Sequence, residues 1–218
     1  MITFKYVSES SFPEYPEKVK QFLPHLEHID GKLTMVIQKE YGAQAVILFD
    51  LVVSLNAKNV LEYGTRAGIS TGIFLEAVKK TDGHLWTVDI QDIPLVASKE
   101  DEEFISVIKD HSLSYMPPFP MDVIFLDTSH QYEQTLLELE RCWQFLKPEG
   151  FLICHDYDSH FDCKRAITEW AEHHKIGFIA DSRMQGIAVI PKPELPNTCR
   201  KRVTFDRWES TPLRVSDL

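Results

Sequence analysis

The chain has 218 residues, of which 44% are hydrophobic, which is ample for one packed domain with short appendages and excludes a disordered composition. Its formal net charge of −10 disfavours nucleic acid as the main partner, because phosphate contacts need clustered lysine and arginine. The first residues, MITFKYVSES, lack the basic and apolar regions of a signal peptide, and no apolar stretch is long enough to span a bilayer.

Strands and helices are predicted to alternate within a domain at 41–192. Residues 1–40 hold several prolines and aromatic residues and are predicted to form an arm or small helices, and the tail at 193–218 is predicted to lie on the surface or on a partner subunit. In chain order, the predicted elements are helix 43–55, strand 59–62, helix 69–80, strands 85–88, 104–109 and 121–126, helix 132–146, strand 151–154, helix 161–173, and strands 176–180 and 186–190.

This alternation predicts an α/β fold with a doubly wound, parallel sheet and helices on both of its faces. Apart from Asp122, the run MDVIFL at 121–126 is apolar, which is typical of a strand buried on both faces. Ligands of such sheets bind beyond the carboxyl ends of the strands. The residues that follow each strand are therefore the candidate site residues.

The cysteine pattern indicates reduced thiols. No two cysteines form a CxxC pair, and three of the four lie inside predicted elements. The four are Cys142, Cys154, Cys163 and Cys199. We therefore expect a cytoplasmic protein without disulfide bonds.

A glycine turn follows the first predicted strand, in the sequence NVLEYGTRAGISTG at 59–72. Gly64 lets the chain turn where a side chain would clash, and Gly68 allows the helix to approach the strand. A dinucleotide site would need a glycine where Arg66 stands, so Arg66 argues against NAD. Adenosylmethionine has no phosphate and tolerates a side chain there. The hydroxyl of Ser70, in the first helical turn, could meet free amides or a ligand carboxylate.

Acidic residues follow the first three strands. Glu62 would lie near the ammonium or sulfonium group of the ligand. Asp89 follows Gly64 by about 25 residues, near the spacing at which an acid meets ribose hydroxyls, and Asp110 is placed to accept from an adenine amine. The predicted cofactor-binding residues are Glu62, Gly64, Thr65, Gly68, Ser70, Asp89, Asp110 and Asp127. The alternative is a tight turn in an unrelated α/β protein, with Asp89 and Asp110 as helix caps.

A second polar cluster is predicted where strands four and five end. Asp127 and His130 follow the fourth strand, and His155 and Asp156 follow the fifth. Burying four such groups is costly without a role or a partner. His130 could be a general base that takes a proton from an acceptor hydroxyl, with Asp127 orienting it. Alternatively, Asp127, Asp156 and His155 could hold Mg²⁺ or a similar hard cation, or Asp127 could cap a helix while the histidines bond to the backbone.

Three segments, LEYGTRAGIST, DVIFLDTSHQYE and LERCWQFLKPEGFLICHDYD, resemble the class I methyltransferases of the small-molecule O-methyltransferase group. The likeness is greatest to the macrolide-sugar O-methyltransferase and cephalosporin-hydroxylase-like subgroup, and it covers roughly residues 40–190. It implies a seven-stranded sheet whose last strand is antiparallel. It also implies that adenosylmethionine lies above strands one and two, against Glu62, Gly64, Gly68, Asp89 and Asp110.

The resemblance also implies a metal site, although the chain departs from the pattern there. In metal-dependent relatives, acids at the positions of Asp127 and Asp156 hold Mg²⁺, and the position of His155 is often aspartate. Thr128 and Glu149 stand where glycine is common. The departure at His155 changes one of the implied metal ligands, whereas it leaves the implied cofactor site unchanged.

Together these features predict methyl transfer from adenosylmethionine to an oxygen of a small molecule, such as a sugar or a secondary metabolite. We expect no nucleic-acid or membrane partner, and self-association is left open. One alternative is a non-haem iron oxygenase, because two histidines and a carboxylate resemble its metal-binding triad. Another is a non-catalytic adenosylmethionine-binding subunit that stabilises a partner.

Overall fold

The computed structural model describes residues 42–66, 68–93, 99–182 and 185–194. The predicted arm at 1–40, the tail beyond 194 and Cys199 lie outside these residues. The elements in chain order are α1 (Gly42–Ser54), β1 (Asn59–Tyr63), α2 (Ile69–Thr81), β2 (His84–Asp89), β3 (Ile105–Lys109), β4 (Met121–Leu126), α3 (Tyr132–Phe145), β5 (Leu146–His155), α4 (Phe161–His174), β6 (Ile179–Asp181) and β7 (Ile187–Pro191).

Seven strands form a single sheet in the order β3-β2-β1-β4-β5-β7-β6. The pairs β1–β2, β1–β4, β2–β3 and β4–β5 are parallel, whereas β7 is antiparallel to both β5 and β6. The predicted α/β fold with a doubly wound, mostly parallel sheet and an antiparallel last strand is therefore confirmed. The strand order reverses between β1 and β4, which is where doubly wound sheets bind their ligands.

Helices cover both faces of the sheet, and each face has its own apolar core. On one face, α1 and α2 pack on the sheet, and Phe74 of α2 contacts Phe125 of β4 with ring centroids 5.4 Å apart. On the other face, α3 and α4 pack on the sheet, and Trp143 and Trp170 make an edge-to-face pair at 5.2 Å. Burial on both faces explains the apolar residues of β4, whereas Asp122, near the start of the strand, is only partly buried.

Helix α3 and strand β5 meet differently from the prediction. The helix ends at Phe145, and β5 begins at once with Leu146, before the Pro148 and Gly150 that were predicted to close the helix. The pairing with β4 is irregular there, because Met121 pairs with Leu146 and the regular register resumes at Phe151. Glu149 within this irregular stretch has a left-handed φ of 64°, the conformation that a glycine would adopt most easily.

Strand β6 is shorter than predicted and lies later in the chain. The prediction was 176–180, but β6 covers only Ile179–Asp181. Lys175 ends α4 in a left-handed conformation, and Ile176 N–H then bonds to the carbonyl of Ala171. Ile176 and Phe178 pack against the core of the α3–α4 face instead of pairing with a neighbouring strand.

Candidate functional site

The turn after β1 is held tightly between the two neighbouring strands. Gly64 N–H donates to the carbonyl of Val88 at 2.8 Å, and Asp127 N–H donates to the carbonyl of Tyr63 at 2.9 Å. A Cβ atom on Gly64 would lie 1.7 Å from the carbonyl oxygen of Asp127, and Gly64 also has a φ of 97°. Glycine is therefore required here by both space and backbone conformation, as the sequence predicted.

Asp89, at the end of β2, holds the glycine turn and its own loop. Its Oδ2 accepts the backbone N–H of Arg66 at 2.9 Å, and its Oδ1 accepts that of Gln91 at 2.8 Å. Arg66 has a left-handed φ of 44°. Gly68 also has a left-handed φ, 75°, at the N-cap of α2, so its backbone conformation favours glycine, a different reason from the predicted close approach.

Glu62 and Ser70 lie beneath the turn. Glu62 has no exposed surface, and its carboxylate accepts hydrogen bonds from Ser70, Thr71 and Thr87. Burial raises the pKa of Glu62 to about 7, although these three hydrogen bonds oppose the rise. The hydroxyl of Ser70 was predicted to face an amide or a ligand, but in the structure it bonds to Glu62.

A cavity of about 300 Å³ opens beyond the carboxyl ends of β1, β2, β3 and β4. Of the predicted cofactor-binding residues, those that line it are Gly64, Asp89, Asp110 and Asp127. The other four, which are buried and are not part of its wall, are Glu62, Thr65, Gly68 and Ser70. Thr65 bonds to Thr87 at 2.6 Å, so it is linked to the Glu62 network. The cavity wall therefore lies on a buried polar layer, which consists of Glu62 and the hydroxyl residues Thr65, Ser70, Thr71 and Thr87.

The predicted second cluster is present next to the cavity. His130 Nε2 lies 3.1 Å from Asp127 Oδ1 and 2.8 Å from Asp156 Oδ2. His155 Nδ1 lies 3.2 Å from the same Asp156 oxygen and 3.4 Å from Asp127 Oδ2. The ends of β4 and β5 thus bring all four side chains together. We refer to Asp127, His130, His155 and Asp156 as the Asp–His cluster.

The histidines and carboxylates of the Asp–His cluster stabilise each other's charged forms. Hydrogen bonds to Asp127 and Asp156 raise the pKa of His130 to about 9. Burial would lower the pKa of His155, but the same two carboxylates outweigh it and raise this pKa to about 9. Burial would raise the pKa of Asp127, but hydrogen bonds from both histidines lower it to about 2, and the pKa of Asp156 is held well below its usual range. Two imidazolium groups therefore balance two carboxylates near neutral pH.

Residues 61–157, from β1 to the loop after β5, match the sequence model of a protein family described as a methyltransferase domain. This part of the chain is similar in sequence to that family. The match contains the cavity wall and the Asp–His cluster. None of the curated proteins matches the chain.

Solved structures of methyltransferases share the fold of this chain. The SAH-bound methyltransferase PaMTH1 of Podospora anserina is 13% identical, with a TM-score of 0.59 over 89% of this chain and 99% of that one. The O-methyltransferase NovP is 17% identical, with a TM-score of 0.54 over 70% and 79%. The mycinamycin-pathway methyltransferase MycE, in complex with Mg, SAH and mycinamycin VI, is 14% identical, with a TM-score of 0.54 over 72% and 52%. Sequence identities this low show only that these proteins share a fold with this chain.

Two residues of the Asp–His cluster hold unusual backbone conformations. His130 and Asp156 both have a left-handed φ of 59°, which costs about 1–3 kcal/mol in a non-glycine residue and is frequent at functional sites. The hydroxyl of Ser159 bonds to Asp156, and the ring of His160 stacks on that of His130 with centroids 4.3 Å apart. These contacts hold both residues in place.

Sequence reasoning missed two buried polar residues. Glu138 of α3 is almost fully buried and accepts hydrogen bonds from Ser112 and Thr128, which both line the cavity. Gln44 of α1 is fully buried, and its Oε1 lies 2.9 Å from His155 Nε2. Gln44 interrupts the apolar buried surface of α1, and Glu138 is a charged residue on the buried face of α3; these interruptions were the available signal.

The donor atoms of the Asp–His cluster fit a divalent cation. Ligand atoms of Asp127, His155 and Asp156 lie within 4.8 Å of one another. This set offers carboxylate oxygens and an imidazole nitrogen. Mg²⁺ favours oxygen ligands throughout, whereas imidazole suits iron, zinc and neighbouring transition metals. The set therefore fits a first-row transition metal better than the Mg²⁺ that the sequence predicted.

Proposed function

We propose that this chain is an adenosylmethionine-dependent methyltransferase that modifies an oxygen of a small molecule. The observation that carries the proposal is the position of Asp127. This residue lines the cavity beyond β1, and its carboxylate belongs to the Asp–His cluster. A methyl donor in the cavity and an acceptor at the cluster would then be neighbours, as a direct displacement requires.

The cavity is proposed as the cofactor site. Asp89 and Asp110 lie at the ends of β2 and β3, and both line the cavity. We expect Asp89 to accept from ribose hydroxyls and Asp110 from the adenine amine. Adenosylmethionine, when bound, supplies an electrophilic methyl group. Glu62 is fully buried and does not line the cavity. We propose that it supports the glycine turn from beneath, through its hydrogen bonds with Ser70, Thr71 and Thr87.

His130 is proposed as the general base, under a condition that the structure adds. Its Nε2 lies between two carboxylates, and its pKa is raised to about 9, so His130 holds a proton near neutral pH. To accept the proton of an acceptor hydroxyl, it must first release its own. Asp127 is proposed to orient the ring, because it is one of the two carboxylates that hold Nε2.

A divalent metal is proposed at Asp127, His155 and Asp156. When bound, such a cation would lower the pKa of an acceptor hydroxyl and fix its position. The complex of MycE with Mg and SAH makes a metal reasonable in this fold, and the mixed donor set here favours a transition metal.

The acceptor is proposed to be a sugar or a secondary metabolite, in keeping with the mycinamycin VI in the MycE complex. The net charge of −10 supports a small molecule over nucleic acid. No helix among the described residues is long and apolar enough to cross a membrane. A cytoplasmic location stays a prediction, and self-association stays open. Among the described residues, Cys142, Cys154 and Cys163 are buried free thiols.

Calorimetric titration with S-adenosylhomocysteine (SAH), with and without a divalent metal, tests the proposal. We expect saturable binding that Asp89→Asn weakens. His130→Ala should abolish turnover and leave SAH binding unchanged. Absence of SAH binding at high protein concentration would contradict the function as a whole. Normal turnover by His130→Ala would contradict only the role of His130, and binding without turnover of any acceptor would favour a non-catalytic subunit.

A further inference from the structure

Gln44 connects the first described helix to the Asp–His cluster. It lies in the first turn of α1 and has no exposed surface. Its Oε1 lies 2.9 Å from Nε2 of His155, a residue 111 positions later in the chain. A buried polar side chain at this position is costly unless it is hydrogen-bonded, so the contact is a specific feature of the fold.

The contact determines which nitrogen of His155 faces the carboxylates. An amide oxygen can only accept, so Nε2 of His155 must carry a hydrogen, and the proton that His155 releases when a metal binds is the one on Nδ1. The other ring nitrogen, Nδ1, then lies 3.2 Å from Asp156 Oδ2 and 3.4 Å from Asp127 Oδ2. The side chain of His155 is only 2% exposed, and its ring lies beside that of Phe125 at a centroid distance of 6.0 Å. Packing and the Gln44 hydrogen bond thus hold the ring in one orientation.

We propose that Gln44 is a positioning residue that presents His155 Nδ1 as the nitrogen ligand of a divalent transition metal. The inference rests on the metal site included in the proposed function. Histidine ligands characteristically donate their other N–H to an oxygen acceptor, which fixes the ring and makes the ligating nitrogen more basic. Gln44 supplies that acceptor from a helix that precedes the sheet, and Asp127 and Asp156 supply the oxygen ligands.

The experiment compares wild type with Gln44→Met, which keeps the size of the side chain and removes the acceptor. Gln44→Glu restores an acceptor oxygen. Gln144→Met, an exposed position on α3, is the matched control for the substitution itself. Binding of Co²⁺ and of Mg²⁺ is measured by calorimetry for all four proteins, and the imidazole N–H proton of His155 is followed by NMR, assigned by its loss in His155→Ala.

We expect Gln44→Met to weaken Co²⁺ binding about 10- to 100-fold. Its Mg²⁺ binding should change little, because Mg²⁺ relies on the carboxylates. The His155 N–H signal should move upfield in Gln44→Met and return towards its original position in Gln44→Glu. Circular dichroism of each variant verifies that it is folded.

Two results would overturn the inference. Equal Co²⁺ affinity in wild type and Gln44→Met would show that Gln44 does not prepare the nitrogen ligand. An unmoved N–H signal would show that the hydrogen bond does not form. If wild type binds SAH but neither cation, the metal role of His155 is refuted while the methyltransferase proposal stands. If SAH does not bind but Gln44→Met still weakens Co²⁺ binding, the methyltransferase proposal is refuted while the metal role of His155 stands.

Discussion

Replacing Glu62 by glutamine should remove a loss of stability that the wild type suffers as the pH rises. Glu62 is fully buried, and its carboxylate accepts from the hydroxyls of Ser70, Thr71 and Thr87 rather than from a cation. Burial raises its pKa from 4.5 to about 7. The folded protein therefore keeps a proton that the unfolded chain releases at lower pH.

The sign and size of the effect follow from this difference. The stabilisation that protonated Glu62 provides is fully present below the unfolded pKa of 4.5 and is lost as the pH rises through about 7. A pKa difference of this size corresponds to a free energy of about 3 kcal/mol. In the Glu62→Gln variant the amide cannot ionise in this range, so the variant should lack this part of the pH dependence.

Urea unfolding of wild type and Glu62→Gln from about pH 5 to about pH 8 measures the effect. The free energy of unfolding of wild type should fall relative to the variant by about 2.5 kcal/mol across this interval, because the first part of the loss already occurs below pH 5. The test is the slope of the free energy of unfolding against pH. If the new amide repositions the hydroxyl groups around it, the free energy of the variant shifts by the same amount at every pH, and the slope is unaffected. Glu102→Gln, at an exposed position, is the control and should follow wild type. Parallel curves for wild type and Glu62→Gln would mean that the three hydroxyl donors outweigh the cost of burial.

Three further predictions concern the cavity and the Asp–His cluster. Gly64→Ala should lower the free energy of unfolding by at least about 2 kcal/mol, because its Cβ would overlap the Asp127 carbonyl, whereas Gly177→Ala, with open space around its Cβ, should change little in the same urea assay. Asp156→Asn should lower the pKa of His130, because His130 loses one of its two carboxylate partners, and an NMR titration that finds this pKa still near 9 would contradict the pairing. Glu138→Gln should weaken SAH binding several-fold, about 1 kcal/mol, since one cavity hydroxyl loses its acceptor, while the exposed Glu133→Gln should bind as wild type does.

The fold was predictable where a strand is buried on both faces. Strand β4, Met121–Leu126, matches its predicted bounds, since Pro120 and Asp127 flank a run that is apolar except for Asp122. The prediction failed at β6, because apolar residues at 176 and 178 are used for packing against the core rather than for pairing. Apolar residues show that a segment is buried, but they do not show whether its neighbour is a strand or a side chain.

The site was predictable to the extent that it follows from topology. Parallel strands with a strand-order reversal bring their carboxyl ends together, which places Asp89 and Asp127 at one cavity. The direction of each side chain could not be predicted in the same way. Glu62 stands two residues before Gly64 at the end of β1, yet it faces the buried polar layer, because successive strand residues point to opposite faces of the sheet. Position along the chain identified the right edge of the sheet but not the right face.

The contact between Gln44 and His155 lies beyond any local rule, because 111 residues separate the two. The sequence predicted a helix over 43–55 and assigned no role to Gln44. A buried polar residue in an apolar helix needs a partner, and here the partner is supplied by the end of β5. Such an interruption therefore predicts that a polar site lies against the helix, and in a doubly wound sheet the carboxyl ends of the strands are the first place to look for it.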